Sequence, residues 1–321
     1  MKSILGMGNA LVDILAICKD DSLLEKYSLP KGSMQHVDEQ RANEVYSDLK
    51  ALGASIVTGG SAANAIAGIS QLGLKTGFSG KVGNDELGDF YSGDLGNLGV
   101  KSLLLRGEKG TGRAMVVISP DSERTFAVYL GAAIEMSPED INPSIFDAYD
   151  YFHIEGYLLQ NHSLIETAMK IARHRKKIIS LDLASYNVVD ENAGFLHKII
   201  DEYVDIVFAN EEEAKALTGE EPEKAVETIS GLCDIAVVKI GAKGSLARQG
   251  SETHRIAATD AKPVDLTGAG DLYASGFLYG LSMGKDLESC AGMGTVCAGE
   301  IIQVIGTKLS GNVLRTAISK L

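Results

Sequence analysis

The sequence predicts a layered α/β domain with a central, mainly parallel sheet and a small β-sheet lid. Three patterns carry this expectation. Short β-rich runs recur as SILGMG near the start, KIISLDLA at 177–184, VDIVFAN at 204–210 and DIAVVKIG at 234–241. They lack polar alternation, as strands buried on both faces do. Between them, SLIETAMKIARH and AGFLHKIIDEY repeat apolar residues at helical spacing, so strands alternate with helices. The third pattern is RAMVVISPDSERTFAVYL, two β-rich runs around a turn-forming SPDSER, which reads as a hairpin. Residues 11–18 and 33–38 add strands to it. The expected division assigns 1–10, 50–98 and 131–321 to the α/β domain, and 11–49 and 99–130 to the lid.

Bulk properties narrow the functional classes. The chain has 321 residues, 45% of them hydrophobic and 23% charged, which suits a globular protein with a sizeable core. A formal net charge of −13 argues against a nucleic-acid or anionic-membrane surface, since both require clustered Lys and Arg. A small phosphorylated ligand needs only local donors and is not excluded. Cys18, Cys233, Cys290 and Cys297 form no C-x-x-C pair and read as thiols of a reducing compartment. In the opening MKSILGMGNALVDILAIC, Asn9 and Asp13 interrupt the apolar run and no small-residue cleavage site follows. The expectation is a cytoplasmic protein without a membrane span.

The most specific stretch is DLTGAGDLYASGFLYGL, residues 265–281. Leu272, Phe277, Leu278 and Leu281 follow helical spacing, which places Gly268, Ala269 and Gly270 at the helix start. Unpaired first-turn amides and the helix dipole make that start an anion site. Asp271 would be held there as a readily ionised carboxylate beside a hydroxyl. The competing reading is an Asp that merely caps a helix.

Other stretches are weaker singly. In TGGSAANAIAGISQLG, residues 58–73, Gly59 and Gly60 precede a helix carrying Ser61 and Asn64, which could bond hydroxyls; a plain tight turn competes. FANEEEAKALTG places Asn210 and Glu213 on one helix face, either around hydrated magnesium or as an ordinary cap with an acidic first turn. VVKIGAKGSL ends a strand in a turn at Gly241 and Gly244, and GMGNALVD sets Asn9 and Asp13 among apolar neighbours. No G-x-x-x-x-G-K-[ST] occurs, and Leu11 stands where a dinucleotide fingerprint needs its third Gly. The six histidines form no metal pattern.

Taken in order, GMGNALVDI, GGSAANAI, FANEEEA, VVKIGAKG and DLTGAGDLYASGFL resemble the ribokinase-like (PfkB) carbohydrate and nucleoside kinases along nearly the whole chain. GMGNALVDI followed by SLLEKYSLPKGSM is most similar to the adenosine kinases among them. The resemblance implies a ribokinase-like layered α/β/α domain with a lid, ATP and magnesium as cosubstrates, and phosphoryl transfer to a primary hydroxyl. It implies Asp271 as base, with the amides of Gly268, Ala269 and Gly270 stabilising the moving phosphoryl. Asp13, with Asn9, Gly59, Gly60, Ser61 and Asn64, would bind acceptor hydroxyls. Asn210, Lys239, Gly241, Gly244, Thr267 and the lid residue Arg124 would lie near ATP, and Glu213 would place magnesium through water.

Asp265 is implied as a ligand for a monovalent cation such as K+, and Leu266 departs from the small polar residue common after it. By the same similarity, Leu11, Met34, Phe126, Leu130 and Leu158 would enclose a base, with His36 a departure. The readings in competition are a sugar kinase for ribose, fructose or a relative, and a noncatalytic nucleoside or sugar binder. A monomer is the expected state, with a homodimer through the lid as the alternative.

Overall fold

The computed structural model describes residues 2–121, 123–309 and 311–321. Ser122, inside the predicted SPDSER turn, lies outside them. The large sheet has nine strands. From one edge they run Glu252–Ile256, Ser245–Gln249, Ile235–Lys239, Ile206–Asn210, Ile178–Asp182, Tyr151–Glu155, Ile4–Met7, Thr76–Ser79 and Val100–Ser102. The first two pairings are antiparallel and all the others parallel.

The unalternating apolar runs are explained by burial on both sides of this sheet. Ile206 and Phe208 point into one core layer with Ile4, Phe78 and Phe277. Val207 and Ala209, one residue out of phase, join Leu5, Phe152 and Leu181 in the other. Each apolar residue of such a strand therefore leaves water whichever way it points, at about 1.5–3 kcal/mol for a large side chain.

The lid is a five-stranded sheet in the order Met34–His36, Arg124–Tyr129, Gly112–Ile118, Leu11–Ile17, Ser55–Thr58. One face packs on the helix Glu39–Ala51 through Ala42, Val45 and Leu49. On the opposite face the registers align Leu15, Val116, Phe126 and Met34 in one row, and Asp13, Ala114, Val128 and His36 in the next. Two segment assignments need correction. Ser55–Thr58 pairs with Leu11–Ile17, so a segment given to the α/β domain is a lid strand. Val100–Ser102 pairs with Thr76–Ser79 at the edge of the large sheet, although it was given to the lid. Both are short runs whose partners are chosen by non-local pairing, which local composition does not carry.

Three helices build the site: α1 (Ser61–Leu72), α2 (Ala269–Ser282) and α3 (Leu287–Ile301). Helices α1 and α2 run side by side in the same direction. Ser61 and Asn64 meet Asp271, and one turn further along the Ser275 hydroxyl donates to the Ala65 carbonyl at 2.8 Å. Gly68 makes this approach possible, because a Cβ there would lie 2.5 Å from Ser275 Oγ and 2.8 Å from Leu272 Cδ1. The Gly68→Ala variant is expected to lose about 1–3 kcal/mol of unfolding free energy in urea titration, the usual cost of overpacking. A loss under about 0.5 kcal/mol would show that the helices part freely.

Candidate active site

The strand order reverses beside Ile4–Met7: the chain first adds strands on one side, then returns to add Tyr151–Glu155 on the other. Outside the carboxyl ends of strands at such a reversal, loops diverge and leave a crevice. Polar side chains end the strands there. Glu155 is in register with Asp182, and Asn210 with Lys239.

Glu155 is the anchor on one side of the crevice. Its buried carboxylate accepts the Asn9 amide through Oε1 at 2.8 Å and the Ala62 amide through Oε2 at 2.8 Å. One residue thereby ties the loop after the first strand to the first turn of α1. Burial pushes its carboxyl up to about 7, against the pull of those two amides. Asn9 Oδ1 also accepts from Gln160 at 3.2 Å. Gly60, at φ 93, begins α1, and Gly59 lies so close to the lid that a Cβ would fall 2.1 Å from Asp13 Oδ1. Asp13 is half-buried, and burial raises its carboxyl to about 7 while Lys308 and Arg124 oppose the rise.

Asp271 lies in the first turn of α2, after Gly268 in the left-handed region at φ 78. Its Oδ1 accepts from Ser61 Oγ at 2.7 Å and its Oδ2 from Asn64 Nδ2 at 3.0 Å. Residues about 210 apart in sequence are thus joined. Burial raises its carboxyl to about 6, and the two hydrogen bonds oppose this. The expectation of a readily ionised carboxylate is corrected in direction, because desolvation outweighs the helix end. The Ala269 amide donates to the Leu266 carbonyl at 3.2 Å. It is drawn into the turn, in contrast to the outward donor expected.

Asp265 organises the loop before α2. Its Oδ1 accepts the Thr267 amide at 3.0 Å and its Oδ2 the Gly306 amide at 2.6 Å. Arg124 reaches over from the lid, with Nη2 2.5 Å from Asp265 Oδ2 and Nη1 donating to Thr267 Oγ1 at 2.9 Å. Here Arg124 docks the lid on the loop, and both oxygens of Asp265 are committed to protein donors. Leu266 is 69% exposed.

Behind the loop is a cleft of about 380 Å³ lined by Gly241, Gly244, Pro263, Leu266, Ala298 and Ile302, among others. Lys239 and Gly270 also line it. A Cβ on Gly270 would lie 3.0 Å from Lys239 Nζ, and Lys239 pairs with Asp182 at 2.9 Å. An apolar cleft with an ammonium beside a helix start fits a nucleotide, base in the cleft and phosphates against the amides. Asn210 and Glu213 form a reciprocal cap: the Glu213 amide donates to Asn210 Oδ1 at 2.8 Å, and the Asn210 amide to Glu213 Oε2 at 2.8 Å. Asn210 Nδ2 donates to Glu213 Oε1 at 2.7 Å. Burial raises the Glu213 carboxyl to about 7. Among the described residues no group of three or more His, Cys, Asp or Glu could hold a metal.

The expected acceptor wall is partly redrawn. Leu158 is fully buried in the core layer with Leu5, Met7 and Ile154, so it does not line the site. Its segment contributes Gln160 instead. Leu11 and Leu130 meet at Gly112, where a Cβ would fall 2.4 Å from Leu11 Cδ2 and 2.6 Å from the Leu130 carbonyl. Phe126 is half-buried, and Met34 is 52% exposed at the lid edge. Sequence reasoning missed Glu155, Asp182, Gln160 and Lys308; a lone carboxylate ending an apolar strand is the only local trace of the first two. The four cysteines are free, and among the described residues no helix is long and apolar enough to cross a membrane.

Comparison with known proteins identifies the family. Residues 34–312 match the pfkB family carbohydrate kinase description. A 5-dehydro-2-deoxygluconokinase of Halalkalibacterium halodurans is 31% identical over 261 residues, 76% of this chain and 79% of the relative. The structure of adenosine kinase from Sinorhizobium meliloti superposes with TM-score 0.89 and 35% identity, covering 100% of this chain and 99% of that one. That of Anopheles gambiae adenosine kinase in complex with P1,P4-di(adenosine-5) tetraphosphate gives 0.83 and 25%, covering 94% and 96%. The fold and site define a phosphotransferase acting on an alcohol group. The chain belongs to the pfkB family, whose members phosphorylate small carbohydrates or nucleosides.

The Glu155 anchor has a direct test. Glu155→Gln keeps the shape but turns an NH2 group toward one of the two amides, leaving it unpaired. Unfolding free energy should fall by about 1–3 kcal/mol, the cost of one buried unsatisfied donor. Unchanged stability in urea titration would show that the anchor is dispensable.

Proposed function

We propose that this chain is an ATP-dependent kinase that phosphorylates the primary hydroxyl of a nucleoside, adenosine foremost. The observation that carries the choice of acceptor is the inner face of the lid. Leu15, Val116, Phe126 and Met34 form an apolar row one step from the row of Asp13. A base needs such a wall, whereas a free sugar is covered by hydroxyl partners. The likeness to the Sinorhizobium adenosine kinase over the full length of both chains supports the same acceptor.

In this reading Asp13 and Asn9 hold the ribose hydroxyls, helped by Gly59, Gly60, Ser61 and Asn64, while Leu11, Phe126, Leu130 and Met34 face the base. Thr267, Asn210, Gly241 and Gly244 border the nucleotide, Glu213 meets its metal through water, and Asp265 holds Arg124. The acceptor hydroxyl gives its proton to Asp271 as its oxygen bonds to the γ-phosphorus and the bond to the bridging oxygen breaks, releasing ADP. The amides of Gly268 and Gly270, with Lys239, face the charge on the transferring group, while the Ala269 amide is held in the turn by the Leu266 carbonyl. A loose transition state asks for placement before strong basicity. A carboxyl raised to about 6 is still ionised at neutral pH, yet a better base than an ordinary carboxylate. Closure of the lid excludes water as the competing acceptor.

A sugar or sugar-acid acceptor is the second reading. The Gln160–Asn9 hydrogen bond makes part of the floor polar, and the Halalkalibacterium relative is named for a deoxygluconate. ADP release is to be measured with adenosine, inosine, ribose, fructose and 5-dehydro-2-deoxygluconate as separate acceptors. Adenosine should give the highest kcat/KM; preference for a sugar would keep the mechanism and replace the acceptor. Asp271→Ala should lose about 10²-fold or more in kcat. Turnover within about threefold of wild type would remove the base assignment. Because only the carboxylate accepts a proton, kcat/KM should fall as pH drops through about 6.

A further inference from the structure

Lys308 belongs to none of the motifs. It follows Gly306 and Thr307 beyond α3, and the fold carries it to Asn64, 244 residues away, where Nζ donates to Oδ1 at 3.2 Å. Its ammonium has three N–H donors, and this is its one hydrogen bond among the described residues. The other two cations of the site each have an ion-pair partner, Lys239 with Asp182 and Arg124 with Asp265. Lys308 has none within 4.0 Å among the described residues. The carboxylates acting on it come from three elements: Asp13 on the lid, Asp94 on the helix Glu86–Asn97 and Asp271 on α2.

The Asn64 amide has two unlike ends. Its NH2 donates to Asp271 Oδ2 at 3.0 Å while its oxygen faces Lys308. Turned over, it would set its oxygen against a carboxylate and its NH2 against an ammonium, two repulsive contacts in place of two attractive ones. Without the ammonium only one of those penalties remains.

We propose that Lys308 is a positioning residue for phosphoryl transfer, which locks the Asn64 amide with its NH2 on Asp271 and supplies the uncommitted positive charge beside Asp13 and Asp271. This rests on the reading of Asp271 as base. The other charges facing the pair are already engaged or of the wrong sign. Asp182 raises the carboxyl of Asp271 and Asp271 raises that of Asp13, while Lys239 lowers that of Asp271 and Arg124 lowers that of Asp13. Lys308 is the largest opposing influence on Asp13 after burial has raised it.

The test compares Lys308→Met, Lys308→Arg and Asp271→Asn by ADP release with the preferred acceptor between about pH 5 and 9. Lys308→Met should lose about tenfold in kcat at neutral pH, with KM for ATP within about twofold, and the acid limb of kcat/KM should move up by about one pH unit. Lys308→Arg should return the limb to the wild-type position. A limb that stays in place in a folded Lys308→Met protein overturns the proposal, and so does Lys308→Arg behaving as Lys308→Met. Lys308→Gln is read in the same way if Lys308→Met does not fold. Asp271→Asn separates the two failures: if it keeps wild-type turnover, the assignment of the base falls.

Discussion

The parallel packing of α1 on α2 is the constraint on which the site depends. Two helices that start at the same level bring two sets of unpaired amides, each with about half a positive charge, to one end of the sheet. Such dipoles repel side by side. The structure offsets this with carboxylates at both starts: Glu155 accepts the Ala62 amide of α1, and Asp271 sits in the first turn of α2 while accepting from Ser61 and Asn64 of α1. The contact at Gly68 sets how near the two ends can come. The loop before α1, Asp271 and the first turn of α2 are therefore fixed relative to one another by a single interface.

Two helix starts crowded with carboxylates would repel one another's charges, and the hydrogen bonds resolve this. Glu155, Glu213 and Asp265 are turned inward and saturated by backbone or side-chain N–H groups. Their burial raises the carboxyls of Glu155 and Glu213 to about 7, so each is neutralised more easily than a surface acid. What faces the cleft is instead Gly270 with Lys239, whose charge is offset by Asp182 rather than by the ligand's path. Those three carboxylates act as framework, whereas Asp271 accepts from two side chains of α1.

How much of this the sequence could show depends on how local each feature is. The core strands were legible because a strand covered on both faces must be apolar at every position, as Ile206 to Ala209 are. The 265–271 loop was legible because its glycines, Asp271 and the helix start are contiguous. Asn210 and Glu213 were equally visible, and the cap and the magnesium reading both describe the same three-residue spacing; the observed reciprocal cap is the structural one. Glu155, Asp182 and Lys308 left little trace, since each acts through a partner that only the fold supplies. Leu158 shows the converse: an apolar residue near a site fits a core or a wall equally well, and the packing decided for the core.

The division of labour between floor and lid follows from which donors are already spent. On the floor, the Asn9 amide is held by Glu155, its side-chain oxygen by Gln160, and Ser61 and Asn64 by Asp271. These groups are held in place by the protein itself. The lid face is different: Leu11, Phe126 and Met34 keep part of their surface open, and Arg124, two residues from Phe126 on the same strand, clamps that face to the 265–267 loop. Phe126 thus lies on the strand that carries the clamp. One strand thereby couples the apolar row of the lid to the loop before Asp271.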